Sequence, residues 1–217
     1  IMDGASKGDI WIVKKQYDSE GERIYHNVCQ EILIKSRDTC LLSHINLAGT
    51  KSISEIPSAF VHGMEFLCAL YQQTGVESSG IYQRKDKQVG LGVLGLSNLL
   101  AIEGVSYKAF VSALRYRNLH SSEPPAGLTM AHAIVVALEV GYKEAAKVAK
   151  RYGMSRAFTI APTASCAYRY KDRDGYTTSP EIAPPISREI DRDSSTLGVH
   201  SYQFHPKCEI AQEVGWD

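Results

Sequence analysis

The amino-acid sequence predicts an α/β protein. Short β-branched or apolar runs bounded by turn residues recur along the 217 residues. Between them lie longer segments whose apolar residues return every three or four positions. Strands alternating with long helices favour this class over a helical bundle.

The elements follow in order. "GDIWIVKKQYD" (8 to 18) is β-branched and aromatic and runs into the turn formers "DSEGE", which predicts a short strand or extended lead-in. "CLLSHINLAG" (40 to 49) reads as a second strand or buried segment ended by Gly49. From Ser52 the spacing turns helical through Ile53, Ile56, Phe60, Met64, Leu67 and Leu70, with Ser52 or Ser54 placed to cap it. A further helix is predicted over 91–104, where Gly90, Gly92 and Gly95 are spaced for close packing, and a shorter one from Tyr107 to Tyr116. The Ala-rich stretch from Pro124 and Pro125 to Gly153 predicts a long helix interrupted at Gly141. "AFTIAPTAS" (157 to 165) then reads as a buried strand, Ala157 to Ala161, broken at Pro162. The polar, proline-bearing stretch after it reads as loop.

Composition narrows the function. The 24 basic and 24 acidic side chains cancel, so no global field draws the chain to nucleic acid or an anionic membrane, and an anionic ligand must be held locally. No apolar run approaches the roughly 20 residues of a membrane span, and "IMDGASKGDI" has no signal-peptide core, which predicts a cytoplasmic location. The five cysteines, Cys29, Cys40, Cys68, Cys166 and Cys208, are odd in number and contain no CxxC pair, a poor basis for a disulfide scaffold or structural zinc. Cys68 lies in a helical apolar stripe and reads as core. Both ends break off within polar or newly begun elements, so 1–217 is expected to be part of one domain of a longer chain.

Three segments could carry chemistry. In "IYHNVCQEIL" (24 to 33), Asn27, Cys29 and Glu31 occupy alternate positions, and alternate side chains of an extended segment point one way. The pattern alone leaves two readings: a buried thiol with a turn amide and a solvated charge, or a reactive sulfur beside a general base and a hydrogen-bonding amide. Cys40 could reach the same place from a neighbouring segment. Adding His26 and His44 as zinc ligands fails for want of the usual short spacing, and no metal is expected. The turn "APTAS" could present backbone N–H groups and hydroxyls to a phosphate, or be an ordinary proline turn. The GxGxxG at 90–95 lacks a framing strand and ribose-binding acid, so helix packing is its better reading.

Taken together and in order, "NVCQEI", "CLLSHINLAG", "GLGVLGLSNLL" and "APTAS" resemble the catalytic large subunit of ribonucleotide reductase over nearly the whole chain. The resemblance implies part of a ten-stranded α/β barrel with a central finger loop carrying the radical cysteine. Cys29 would be the thiyl-radical site, Glu31 the base on the 3′ hydroxyl, Asn27 a sugar ligand, and Cys40 one of two cysteines oxidised to a disulfide. Pro162, Thr163, Ala164 and Ser165 would hold the substrate phosphate. It also implies a ribonucleoside di- or triphosphate substrate and thioredoxin or glutaredoxin as reductant. No cofactor is expected on this chain. The radical would come from a dimetal small subunit, as in class I relatives, with adenosylcobalamin (class II) as the alternative. A glycyl-radical enzyme or an inactive barrel module are the competing assignments.

Overall fold

The computed structural model describes residues 2–8, 14–27, 29–36, 38, 40–74, 87–120, 123–194 and 198–208. After a short helix α1 (Met2–Ser6), three antiparallel strands form a small sheet: β1 (Gln16–Tyr17), β2 (Arg23–His26) and β3 (Leu33–Lys35). The "DSEGE" turn forms as its residues require. Asp18 accepts backbone N–H bonds from Glu20 (2.9 Å) and Glu22 (2.8 Å), and Gly21 takes the left-handed φ of +78°. Lys35 of β3 sits 2.8 Å from the Asp18 carboxylate and, with the turn's N–H groups, holds its pKa below the ordinary value. Residues 9–13 of the predicted lead-in lie outside the described residues.

The second sheet is parallel, in the order β4 (Leu42–Asn46), β5 (Gln88–Leu94), β6 (Arg156–Phe158). Helix α2 (Ile56–Thr74) follows β4 after two 3-10 turns. Between β5 and β6 come α3 (Leu96–Ile102), α4 (Tyr107–Leu119) and α5 (Thr129–Arg151). The predicted apolar spacing of α2 is what buries Ile56, Phe60, Met64 and Leu67, and Cys68 lies in the core as expected. Helix α5 packs against this face without interruption. Gly141 is not a break: a Cβ there would stand 2.8 Å from Phe60 Cδ2, so the glycine lets two helices approach closely.

The prediction of a helix over 91–104 needs correction at its start. Residues 88–94 are a strand and only 96–102 are helical, with Gly95 in the left-handed region (φ +76°) between them. Every residue of β5 is buried. A parallel strand covered on both faces is apolar throughout and lacks the alternation that marks a half-exposed strand, so its pattern does not separate it from helix. Two other boundaries differ: α4 runs a turn further than Tyr116, and β6 is short and largely exposed instead of buried through Ala161.

The stretch after β6 contains more order than its polarity predicts. A four-residue helix α6 (Ala164–Ala167) opens it, and a polar hairpin, β7 (Glu189–Ser194) with β8 (Gly198–Gln203), closes it. Buried Asn98 of α3 ties the intervening loop down: its amide donates to Asp172 Oδ2 (2.7 Å) and the Thr177 carbonyl (2.9 Å), and its Oδ1 accepts from the Ser179 N–H (2.8 Å). Tyr168 packs on the rings of Tyr202 and Phe204, while Tyr176 meets His205 edge-on. Tyr168 and Tyr176 therefore serve packing, with neighbours on and just past β8, while Tyr170 is exposed.

Candidate active site

The segment carrying Asn27, Cys29 and Glu31 is the turn between β2 and β3, so strand alternation is not what relates the three side chains. The Asn27 N–H donates to the Ile32 carbonyl (3.2 Å), the Asn27 side-chain oxygen accepts from the Ile32 N–H (3.1 Å), and the Gln30 N–H donates back to the Asn27 carbonyl (3.1 Å). Gln30 accepts a left-handed φ of +64° to make the reversal. The turn folds Asn27 and Glu31 toward one another and leaves Cys29 exposed near its tip.

Cys40 completes the group. Asn27 Nδ2 reaches its sulfur at 3.6 Å, and the Cys40 thiol points to Glu31 Oε1 at 3.7 Å. Burial, and next the negative charge of Glu31, push the Cys40 thiol up to about 11, so at neutral pH it is protonated and able to donate. Cys29 is close enough that its own charge would raise Cys40 further. The Thr159 hydroxyl, just past β6, donates to the Glu31 carbonyl at 3.2 Å and fastens the turn to the parallel sheet.

The candidate phosphate loop follows directly. Pro162 and Ser165 are exposed, Ala164 is half-buried, and Thr163 is buried. Thr163 is clasped by Glu181: its N–H donates to Glu181 Oε1 (3.1 Å), and the Glu181 N–H donates to Thr163 Oγ1 (3.0 Å). Glu181 holds this position at a φ of +51°. The Thr163 amide is thus already engaged by a carboxylate, while the Ala164 and Ser165 amides stand in the first turn of α6.

Sequence reasoning named Asn27, Cys29, Glu31 and Cys40, considered His44 only as a zinc ligand, and missed Thr159 at the turn and Glu181 at the phosphate loop. His44 lies four residues past Cys40 with the same strand parity, which was a usable signal. Thr159 and Glu181 reach the site from 128 and 18 residues away and leave no local trace. The GxGxxG glycines do meet a strand, but the space above Gly90 and Gly92 is filled by Leu42, His44 and Thr159, which excludes a dinucleotide cradle there. A larger apolar cavity on the helical side, lined by Leu96, Phe110, Val135 and Tyr142 among others, shares no residue with the thiol group. Its one ion pair, Arg117 with Glu139 at 2.8 Å, is satisfied within the cavity wall. Among the described residues no helix is long and apolar enough to cross a membrane.

A three-stranded parallel sheet backed by helices, with the amide and carboxylate of a neighbouring turn bonded to the Cys40 thiol, defines an α/β protein. Residues 14–121, which contain the whole thiol group, match the family model described as ribonucleotide reductase, barrel domain. Over that segment, just under half of its length, the chain belongs to the ribonucleotide reductase barrel-domain family. Among solved structures it is similar to the Actinobacillus ureae class Id ribonucleotide reductase alpha subunit, at 20% identity and a TM-score of 0.45. The match covers 88% of this chain and 35% of that one. None of the curated proteins matches the chain.

Proposed function

We propose that the chain carries the catalytic centre of a ribonucleotide reductase, which reduces ribonucleotides to deoxyribonucleotides for DNA synthesis by thiyl-radical chemistry. The observation that carries this reading is the hydrogen-bonded run from Asn27 through Cys40 to Glu31, with exposed Cys29 at the tip of the same turn. In this reading the turn is the finger loop at the centre of a ten-stranded barrel, of which β4, β5 and β6 are three strands.

Each group then has a task. The Cys29 sulfur radical takes the 3′ hydrogen of the ribose and returns it at the end of the cycle. Glu31 accepts the 3′ hydroxyl proton, and Asn27 holds a sugar oxygen. Cys40, protonated at neutral pH, is suited to supply the proton with which the 2′ hydroxyl leaves as water. It and a second cysteine give up two electrons to form a disulfide, which an external dithiol such as thioredoxin or glutaredoxin reduces. Fixing Asn27, Cys29 and Glu31 on one closed turn, with Cys40 bonded to it from beyond β3, supplies the alignment on which much of the rate depends. Pro162, Thr163, Ala164 and Ser165 bind the di- or triphosphate, Ala164 and Ser165 through free first-turn amides.

The radical reaches Cys29 from a dimetal small subunit in the class I form of this reading, with adenosylcobalamin as the alternative source. The test is ribonucleotide reduction by the complete protein with a dithiol reductant, supplied first with adenosylcobalamin and then with a metal-loaded small subunit. Turnover only with the subunit supports class I, and turnover with adenosylcobalamin alone supports class II. Unchanged turnover in Cys29→Ser would overturn the assignment.

A further inference from the structure

The face of the parallel sheet nearest the turn is built with a low floor. A Cβ at Gly90 would stand 2.4 Å from Leu42 Cδ2 and 2.6 Å from Thr159 Cγ2. At Gly92 it would meet His44 Cδ2 at 2.8 Å and Nε2 at 3.1 Å. Neither glycine has a positive φ, so space and not backbone conformation explains them. The volume vacated at Gly92 holds the imidazole of His44, its register partner on β4.

The placement of that ring leaves something unfinished. His44 Nε2 is buried and has no hydrogen-bond partner among the described residues, and the same is true of Glu31 Oε2. Glu31 Oε1, by contrast, already receives the Cys40 thiol. Burial holds the His44 pKa below its ordinary value and favours the neutral ring, while the Glu31 charge acts on it in the opposite sense. Among the described residues, the titratable groups around the turn are Glu31, Cys40 and Cys29, and Glu31 is the one whose charge reaches His44. From β5 and the chain leaving β6, the groups that meet the ring's surroundings are Gly92 and Thr159, which do not titrate. Both residues adjoin Thr159, the His44 ring across Gly92 and Glu31 through its carbonyl, and two unpaired buried polar atoms in one such region are a costly arrangement unless they serve each other.

We propose that His44 is a positioning residue for Glu31: its Nε2–H donates to Glu31 Oε2, directly or through one intervening hydroxyl, while the Cys40 thiol holds Oε1. The carboxylate is then fixed at both oxygens, and the Gly92 floor exists to let the ring reach it. Only the catalytic consequence rests on the ribonucleotide reading; the pairing is inferred from the two unpaired buried atoms and the space left at Gly92.

Two measurements on the complete protein separate these. With histidine labelled for NMR, the His44 resonance is identified by its loss in His44→Gln and titrated in the wild type and in Glu31→Gln. Removing the carboxylate should move the His44 midpoint downward, and an unmoved midpoint overturns the pairing. In ribonucleotide turnover, His44→Leu should lower kcat about tenfold with KM unchanged, the effect of one lost hydrogen bond in the transition state. His44→Gln, whose amide can donate from nearly the same place, should recover most of it. Full kcat in a folded His44→Leu enzyme overturns the positioning role. If the wild type reduces no ribonucleotide, the functional reading fails while the titration still decides the pairing.

Discussion

The parallel sheet with its two long helices and the turn that carries the thiols are held together by different physics. Around β5 the contacts are apolar, every strand residue is buried, and glycines at 63 and 141 admit Ile45 and Phe60 at distances no other residue would allow. The turn from Asn27 to Ile32 has no buried residue among those described, and hydrogen bonds close it. The difference teaches where this chain places stability and where it places chemistry. Dispersion and burial are additive and forgiving of small motions, while directional bonds to a few polar atoms fix angles at modest net gain. A reactive group is better placed on the second kind of scaffold when the first lies directly beneath it.

The sharpest way to break this comparison is Cys29→Ser. It should abolish ribonucleotide reduction in the complete protein yet change unfolding free energy by less than about 0.5 kcal/mol, because the side chain is exposed. Phe60→Ala should do the reverse, costing about 3–5 kcal/mol in denaturant unfolding by opening a cavity between α2 and α5. Thr159→Val tests the joint between the regions. Losing its bond to the Glu31 carbonyl should cost about 1 kcal/mol and lower kcat more than the stability change alone would suggest.

The remaining tests sharpen the electrostatics. Alkylation of Cys40 in the wild type, followed against pH, should show a midpoint at about 11, and Glu31→Gln should lower it. The neutral amide removes the charge that opposes the thiolate, although burial, the larger cause, stays. The smallest effect belongs to Asp18→Asn. Because the folded-state pKa of Asp18 is depressed, its contribution is present above the ordinary carboxylate pKa and fades as pH falls through the lowered folded value. The variant should therefore show a slightly reduced Tm at neutral pH and none of the wild type's additional loss in acid.

The helices were readable because their apolar residues recur on one face: Ile56, Phe60, Met64 and Leu67 alone predict which side of α2 is buried. β5 was not, since burial on both faces erases alternation, and the β7–β8 hairpin was not, since exposure on both faces erases it equally. The site shows the same division. Asn27, Glu31 and Cys40 were named from residue type and do come together, but as a closed turn instead of one face of a strand. Thr159, Glu181 and His44 are partners brought by topology, and residue types near Cys40 contain no instruction to look 119 positions ahead, the separation from Cys40 to Thr159.

The bond from Thr159 to Glu31 spans 128 residues. During synthesis the turn with both thiols leaves the ribosome long before the hydroxyl that anchors it, and for that interval nothing on β6 exists to dock against. At elongation rates of about 5–20 residues per second, the interval is on the order of ten seconds. The nascent chain thus passes through a stage in which Cys29 and Cys40 are both made while only the local bonds among Asn27, Glu31, Ile32 and Cys40 can hold the turn.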